Sequence, residues 1–147
     1  MLTRASGGGG DGVSCVAGGG GGGGRRAWAV RVRRCHRYMY LGVAEPGLAL
    51  AGYVTDAGRH AVVYSAGQAR QTGRPAVTGL PDFGAAGRTL DFELDPAAGT
   101  LTVRLDGAPH HVCTRLGGEA WCPVISLYRE GDAVEVLPFS PSGAYPA

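Results

Sequence analysis

Thr89-Leu90-Asp91-Phe92-Glu93-Leu94-Asp95, then Pro96-Ala97-Ala98-Gly99, then Thr100-Leu101-Thr102-Val103-Arg104-Leu105 is the stretch whose reading decides the fold. Leu90, Phe92 and Leu94 alternate with Asp91, Glu93 and Asp95, and Leu101, Val103 and Leu105 alternate with Thr100, Thr102 and Arg104. Successive side chains of a strand point to opposite faces, so each run has one face for a core and one for water. The four residues between them are turn formers, and the two runs read as a hairpin. In that hairpin Arg104 can face an acid of the first strand. Asp106-Gly107 follows at once. That dipeptide tolerates the two positive φ angles of a type I′ turn and predicts a second hairpin, with the next strand over His110 to Thr114.

The same period extends outward in both directions. Trp28, Val30 and Val32 share one face of Ala27 to Val32, and Met39, Leu41 and Val43 share one face of Tyr38 to Ala44. Glu45-Pro46-Gly47 then reads as a turn. Shorter strands are expected at Tyr53-Val54 and His60 to Ser65, and further ones at Ala120 to Leu127 and Ala133 to Leu137. No segment carries a helical stripe. Short strands with turn signals at roughly 8- to 12-residue spacing mean an all-β sandwich or barrel. Trp28, Leu41, Val43, Leu90, Phe92, Leu94, Leu101, Val103, Leu105, Val124 and Leu127 are the expected core. Residues 66 to 88 are long for a loop and are read as a binding loop or as hiding a strand near Ala76-Val77.

Glycine runs at 7–10 and 18–24 leave nothing to bury, and glycine loses the most backbone entropy on ordering. Residues 1–24 are therefore read as a disordered tail dispensable for folding, residues 25–139 as the domain, and residues 140–147 as a short C-terminal tail. The domain is expected to be monomeric.

Composition excludes several classes of function. The 147-residue chain carries 14 basic and 12 acidic residues, a formal charge of +2, which implies no strong electrostatic partner. Every basic residue is arginine, and asparagine is absent, so there is no N-glycosylation acceptor. No apolar run reaches the ~20 residues of a membrane span, and no secretory h-region is visible at Met1 to Ser6. An intracellular chain with four free thiols is expected, and Cys122 is read as buried and inert. Arg25, Arg26, Arg31, Arg33, Arg34 and Arg37 make the first third basic, but strand alternation and a solvated turn explain them without nucleic acid. His110-His111 with Cys113 invites a metal, yet neighbours on a strand point to opposite faces and no ligand spacing accompanies them. Asp91, Glu93 and Asp95 imitate paired catalytic carboxylates and are read as the wet side of a hairpin. No nucleophile, base and orienter set emerges, so no enzyme activity and no cofactor are expected.

The ordered set of segments resembles the SPRY (B30.2-like) family. Arg26 to Val32 is similar to its "HYWEV-x-V" strand, Tyr40-Leu41-Gly42-Val43-Ala44 to "x-x-GVA", and Val63-Tyr64-Ser65-Ala66-Gly67 to "LYHDG". The central hairpin with Asp106-Gly107 resembles "V-x-x-x-LD … G-T-L-S-F-x-x-NG", and Trp121 to Leu127 resembles "LYPAVSL". The likeness runs over residues 26–138. It implies a bent, concanavalin-like sandwich of two antiparallel sheets, without catalysis, binding a peptide or partner surface through loops at one edge. Many such domains are substrate-recognition parts of ubiquitin ligases. Carried over by position, Tyr64 and the loop opening at Glu45 fall on the ligand surface, with Tyr64 as anchor. Tyr53, Asp56, Arg59, Arg70 and Tyr128 lie in or beside other predicted loops. The family's strand before the tryptophan is here replaced by glycine. The alternative is a lectin-like sugar-binding sandwich, which would want an exposed Trp beside clustered Asn, Asp, Glu or Arg.

Overall fold

The computed structural model describes residues 2–3, 12–15, 24–36, 38–45, 59–117, 121–127 and 131–137. The strands are β1 (Leu2–Thr3), β2 (Gly12–Cys15), β3 (Arg26–Arg34), β4 (Met39–Ala44), β5 (His60–Tyr64) and β6 (Gln68–Gln71). They continue with β7 (Thr89–Asp95), β8 (Thr100–Leu105), β9 (Ala108–Cys113), β10 (Cys122–Leu127) and β11 (Ala133–Val136). Two antiparallel sheets result, one ordered β1-β11-β3-β7-β8-β9 and the other β2-β10-β4-β5-β6. The chain is an all-β sandwich.

The central hairpin forms as its alternation demands. Leu90, Phe92 and Leu94 on β7 and Leu101, Val103 and Leu105 on β8 are buried, while the residues between them are not. Arg104 lies opposite Asp91 in the register. On the same wet face Arg25 pairs with Glu93 and reaches Asp95 at 3.8 Å. Asp106 and Gly107 adopt φ of 50° and 84°, the two positive angles of the I′ turn. The Asp106 carboxylate also accepts from the Thr89 N–H at 2.8 Å and pairs with Arg88. Those contacts, the Thr89 N–H first, hold the carboxyl below its usual range.

The main core lies between the sheets; all eleven residues expected to be core are buried, ten of them in this cluster and Val124 in a smaller one. Trp28 stacks on its cross-strand partner Phe92, centroids 5.4 Å apart and planes within 9°. Gly42 on β4 allows β5 to close: a Cβ there would sit 2.2 Å from the Ala61 carbonyl oxygen. A smaller apolar cluster of Tyr40, Ala44, Val62 and Val124, with Tyr64 against it, sits apart from the main core.

Four findings depart from the sequence reading. Within the stretch read as a continuous tail, Gly12–Cys15 pairs with β10 and Leu2–Thr3 with β11. Main-chain pairing at a sheet edge needs little side-chain burial, so a stretch with little to bury can still add a strand. The second departure lies within 66–88. The strand there is β6, while Val77 makes only an isolated bridge to Ala69. This segment straps the open side of the sandwich. Its Phe83 is wholly buried, its N–H donating to Ser65 O, and Leu80 N–H donates to Gly67 O. Third, β3 runs on through Arg33 and Arg34, and Arg31 and Arg33 share Glu135 on β11. Fourth, Cys122 is half-buried, and the buried thiol is Cys113, which desolvation pushes up to about 12. No disulfide joins Cys35, Cys113 and Cys122. The expected strand at Tyr53-Val54 and residues 140–147 lie outside the described residues.

Candidate functional site

The sequence candidates divide between the two ends of β5. At one end, Tyr64 stands opposite Tyr40 of β4, ring centroids 4.6 Å apart. Tyr38, 37% exposed, stacks on Tyr64 at 5.6 Å. A turn holds this end. Gly67, at φ 87°, returns its N–H to Tyr64 O, and a Cβ there would meet Leu80 O at 2.3 Å. Buried Ser65 exchanges hydrogen bonds with Met39: its N–H donates to Met39 O, and its hydroxyl accepts from Met39 N–H at 3.1 Å. Tyr64 is therefore half-buried, fixed by two neighbouring rings and a locked turn. A half-buried aromatic with a polar tip suits protein contact.

Glu45 and Arg59 lie at the opposite end, about 13–16 Å away along a strand of this length. The Glu45 N–H donates to Arg59 O, and its carboxylate accepts from the Arg59 N–H at 3.1 Å. The pair thus clamps the base of the segment between β4 and β5. The Arg59 guanidinium lies 5.7 Å from the Trp121 ring centroid. Arg70, on edge strand β6, donates to Gln68 at 3.3 Å. Tyr53, Asp56 and Tyr128 lie outside the described residues.

The residues that invited a metal take other partners. The β8–β9 register shifts beside His110 and His111, and no group of three or more metal-capable side chains occurs among the described residues. His110 is buried, donates through Nε2 to Pro81 O at 3.0 Å, and meets Phe83 edge-on. Burial lowers both imidazoles below their ordinary value, with Arg88 adding to the effect on His110 and His110 to that on His111. Sequence reasoning missed a polar pair: fully buried Asp132 accepts from His36 N–H at 2.9 Å and lies 2.7 Å from its Nδ1. An Asp after a glycine reads as turn chemistry, and nothing local signals its burial. No helix among the described residues is long and apolar enough to cross a membrane.

Neither a family model nor a curated protein sequence matches the chain. Solved structures do. The SPRY domain of human HERC1 superposes with a TM-score of 0.72 at 18% identity, over 88% of this chain and 84% of that one. The chain has the SPRY fold. A second human SPRY domain matches with a TM-score of 0.69 at 10% identity, over 88% and 86% of the two chains. The PSpry domain of TRIM65 matches with 0.65 at 24% identity, over 85% and 70%. At such identities the likeness is one of architecture. Within the SPRY fold the quoted segments fall on β3, β4, β5, the β7–β8 hairpin and β10, in the order the resemblance requires.

Proposed function

We propose that this chain is a non-catalytic protein-interaction module that takes a peptide or partner surface at the tyrosine end of its five-stranded sheet. SPRY neighbours support an interaction role as a class. The observation that carries the location is the stack of exposed Tyr38 on half-buried Tyr64, beside a turn that fixes both. Rings already ordered lose little entropy when a partner covers them. Tyr64 is the proposed anchor. Tyr53, Asp56 and Tyr128 remain proposed contacts, while Glu45 and Arg59 lie at the other end of β5 and Arg70 stands opposite Val62 on β6. A role as the recognition part of a ubiquitin ligase is the finer form of this reading.

The test uses the full chain as bait and measures captured-partner affinity and thermal stability on the same variants. As an anchor, Tyr64→Ala weakens binding by about 2 kcal/mol, near thirtyfold. Tyr38→Ala, at the more exposed ring, also weakens binding and leaves the melting temperature nearly unchanged. A folded Tyr64→Ala protein that holds the partner as tightly as the parent sinks the assignment.

A further inference from the structure

The open side of the sandwich lies between two terminal strands, β6 of one sheet and β9 of the other. They do not meet edge to edge. The Gln71 side chain reaches across to donate to Thr114 O at 2.7 Å, and Arg74 donates to the Thr114 hydroxyl at 3.4 Å. Around this bridge run three adjoining hollows of about 70, 170 and 310 Å³; Gln71 lines all three, and the largest shares Arg70 and Arg74 with one neighbour and His60 and Thr72 with the other. Together they form one groove from Trp121 at one end to Val77 and Val112 at the other.

The charge of this groove is one-sided. Arg59, Arg70, Arg74 and Arg115 line it, and among the described residues none of its lining is acidic. Several arginines elsewhere are matched: Arg25 with Glu93, Arg31 and Arg33 with Glu135, and Arg88 with Asp106. Arg70, Arg74 and Arg115 have no carboxylate within ion-pair distance among the described residues. The Arg70 Nε is moreover buried with no hydrogen-bond partner. Glu45, beside Arg59, accepts through its carboxylate from the Arg59 main-chain N–H. Four arginines thus gather around one groove.

The apolar end adds shape to charge. Val77 and Val112 are 41% and 47% exposed, two of the three large apolar side chains that stand out among the described residues. Both are in the groove. A small anion would engage the guanidiniums and leave this wall bare. A nucleic acid would want exposed rings for stacking, and the groove's Trp121 is buried. An extended chain of alternating carboxylates and apolar side chains satisfies both ends and lies naturally along strand edges. We propose that this groove binds an extended acidic segment of a partner protein, with the arginines taking its carboxylates and Val77 and Val112 an apolar side chain. The proposal rests on the reading of the chain as an interaction module, but not on Tyr64.

The probe is a fluorescein-labelled peptide of about ten residues, Glu and Asp around a single Leu, titrated with the full chain by anisotropy. A second peptide replaces every Glu and Asp by Gln and Asn. Binding of the acidic peptide, falling as sodium chloride is raised, and little binding of the amide peptide are expected. The variant carries Arg74→Glu and Arg115→Asp. Both positions are exposed, and Asp tolerates the φ of 56° at residue 115. It should keep the parental melting temperature and bind about tenfold or more weaker, whereas Tyr64→Ala should bind this peptide as the parent does. No binding of the acidic peptide, equal binding of the amide peptide, or unchanged affinity in the double variant overturns the proposal. Full displacement by millimolar inorganic phosphate also overturns it, because the ligand would then be a small anion. A loss confined to Tyr64→Ala would place the peptide at the tyrosine end instead.

Discussion

Phe83→Ala tests whether the strap between β6 and β7 is part of the core or merely lies on it. Phe83 is 0% exposed, packs within the main core, and presents its ring to His110 at 6.0 Å and 74°. The rest of the strap is held by main-chain hydrogen bonds to Ser65, Gly67 and Ala69 and by half-buried Leu80. Truncating a buried Phe to Ala costs about 3–5 kcal/mol, the lost edge-to-face contact included. The site lies near the open side of the sandwich, where the strap can sag inward, so the lower end, about 3 kcal/mol, is expected. Against a total stability of ~5–15 kcal/mol this is a large loss. Urea unfolding followed by tryptophan fluorescence reads it well, since Trp28 is stacked in the core. The midpoint should fall with the slope unchanged, and Phe83→Leu should recover most of the difference. A Phe83→Ala protein within about 1 kcal/mol of the parent would refute the claim that the strap is integral.

Gly42→Ala should cost about 3 kcal/mol or more, or abolish soluble expression, because its Cβ would meet the Ala61 carbonyl oxygen at 2.2 Å and force β4 from β5; a thermal melt checks it. Burial lowers the folded pKa of His110 and His111 below the ordinary 6.5, so the unfolded chain binds protons first. Stability should therefore be full above about pH 6.5 and decline as pH falls through and below that value, and replacing both residues with Gln should flatten the decline measured by denaturation between about pH 7 and 5. Deleting residues 1–24 strips β2 from β10 and β1 from β11, so the melting temperature should drop by more than a few degrees. An unchanged melting temperature would restore the reading of that stretch as a dispensable tail.

What was legible in the sequence follows the range of the physical signal. Alternation over β7 and β8 and the Asp106-Gly107 turn are local, and they placed the six core residues of those strands and the central hairpins correctly. Phe83 is a single apolar residue among Pro81, Asp82 and Gly84, with no period to mark it, and only the approach of Ser65 and His110 makes it core. The β6 strand, Gln-Ala-Arg-Gln, is polar on its outward face and lacks an apolar run. Strand β2 is defined by its partner β10 rather than by its own residues. The candidate site was legible in the same uneven way. Tyr64 could be placed beside a turn, but its stack on Tyr38 and Tyr40 depends on cross-strand register. The arginine groove draws on residues from 59 to 115, brought together by the packing of two sheet edges, and no short window of sequence contains it.

The pairing of β3 with β11 carries a consequence for how the molecule is made. Val30 lies opposite Val136 and Val32 opposite Val134, so an early strand is held between β7 and nearly the last one. A chain emerging from the ribosome can close the β7–β8 and β8–β9 hairpins as soon as each is complete, because their turns are short. The Trp28 strand, however, stays open on one side until residue 136 is free of the exit tunnel. Contacts of such long sequence separation fold slowly, because loop-closure entropy is lost before any packing repays it. During that interval the inner faces of β3 and β7 are the most adhesive surfaces on the nascent chain. Folding is therefore completed only when β11 is available to pair, and truncations that remove Ala133–Val136 while sparing the residues of both proposed binding surfaces should yield aggregated protein.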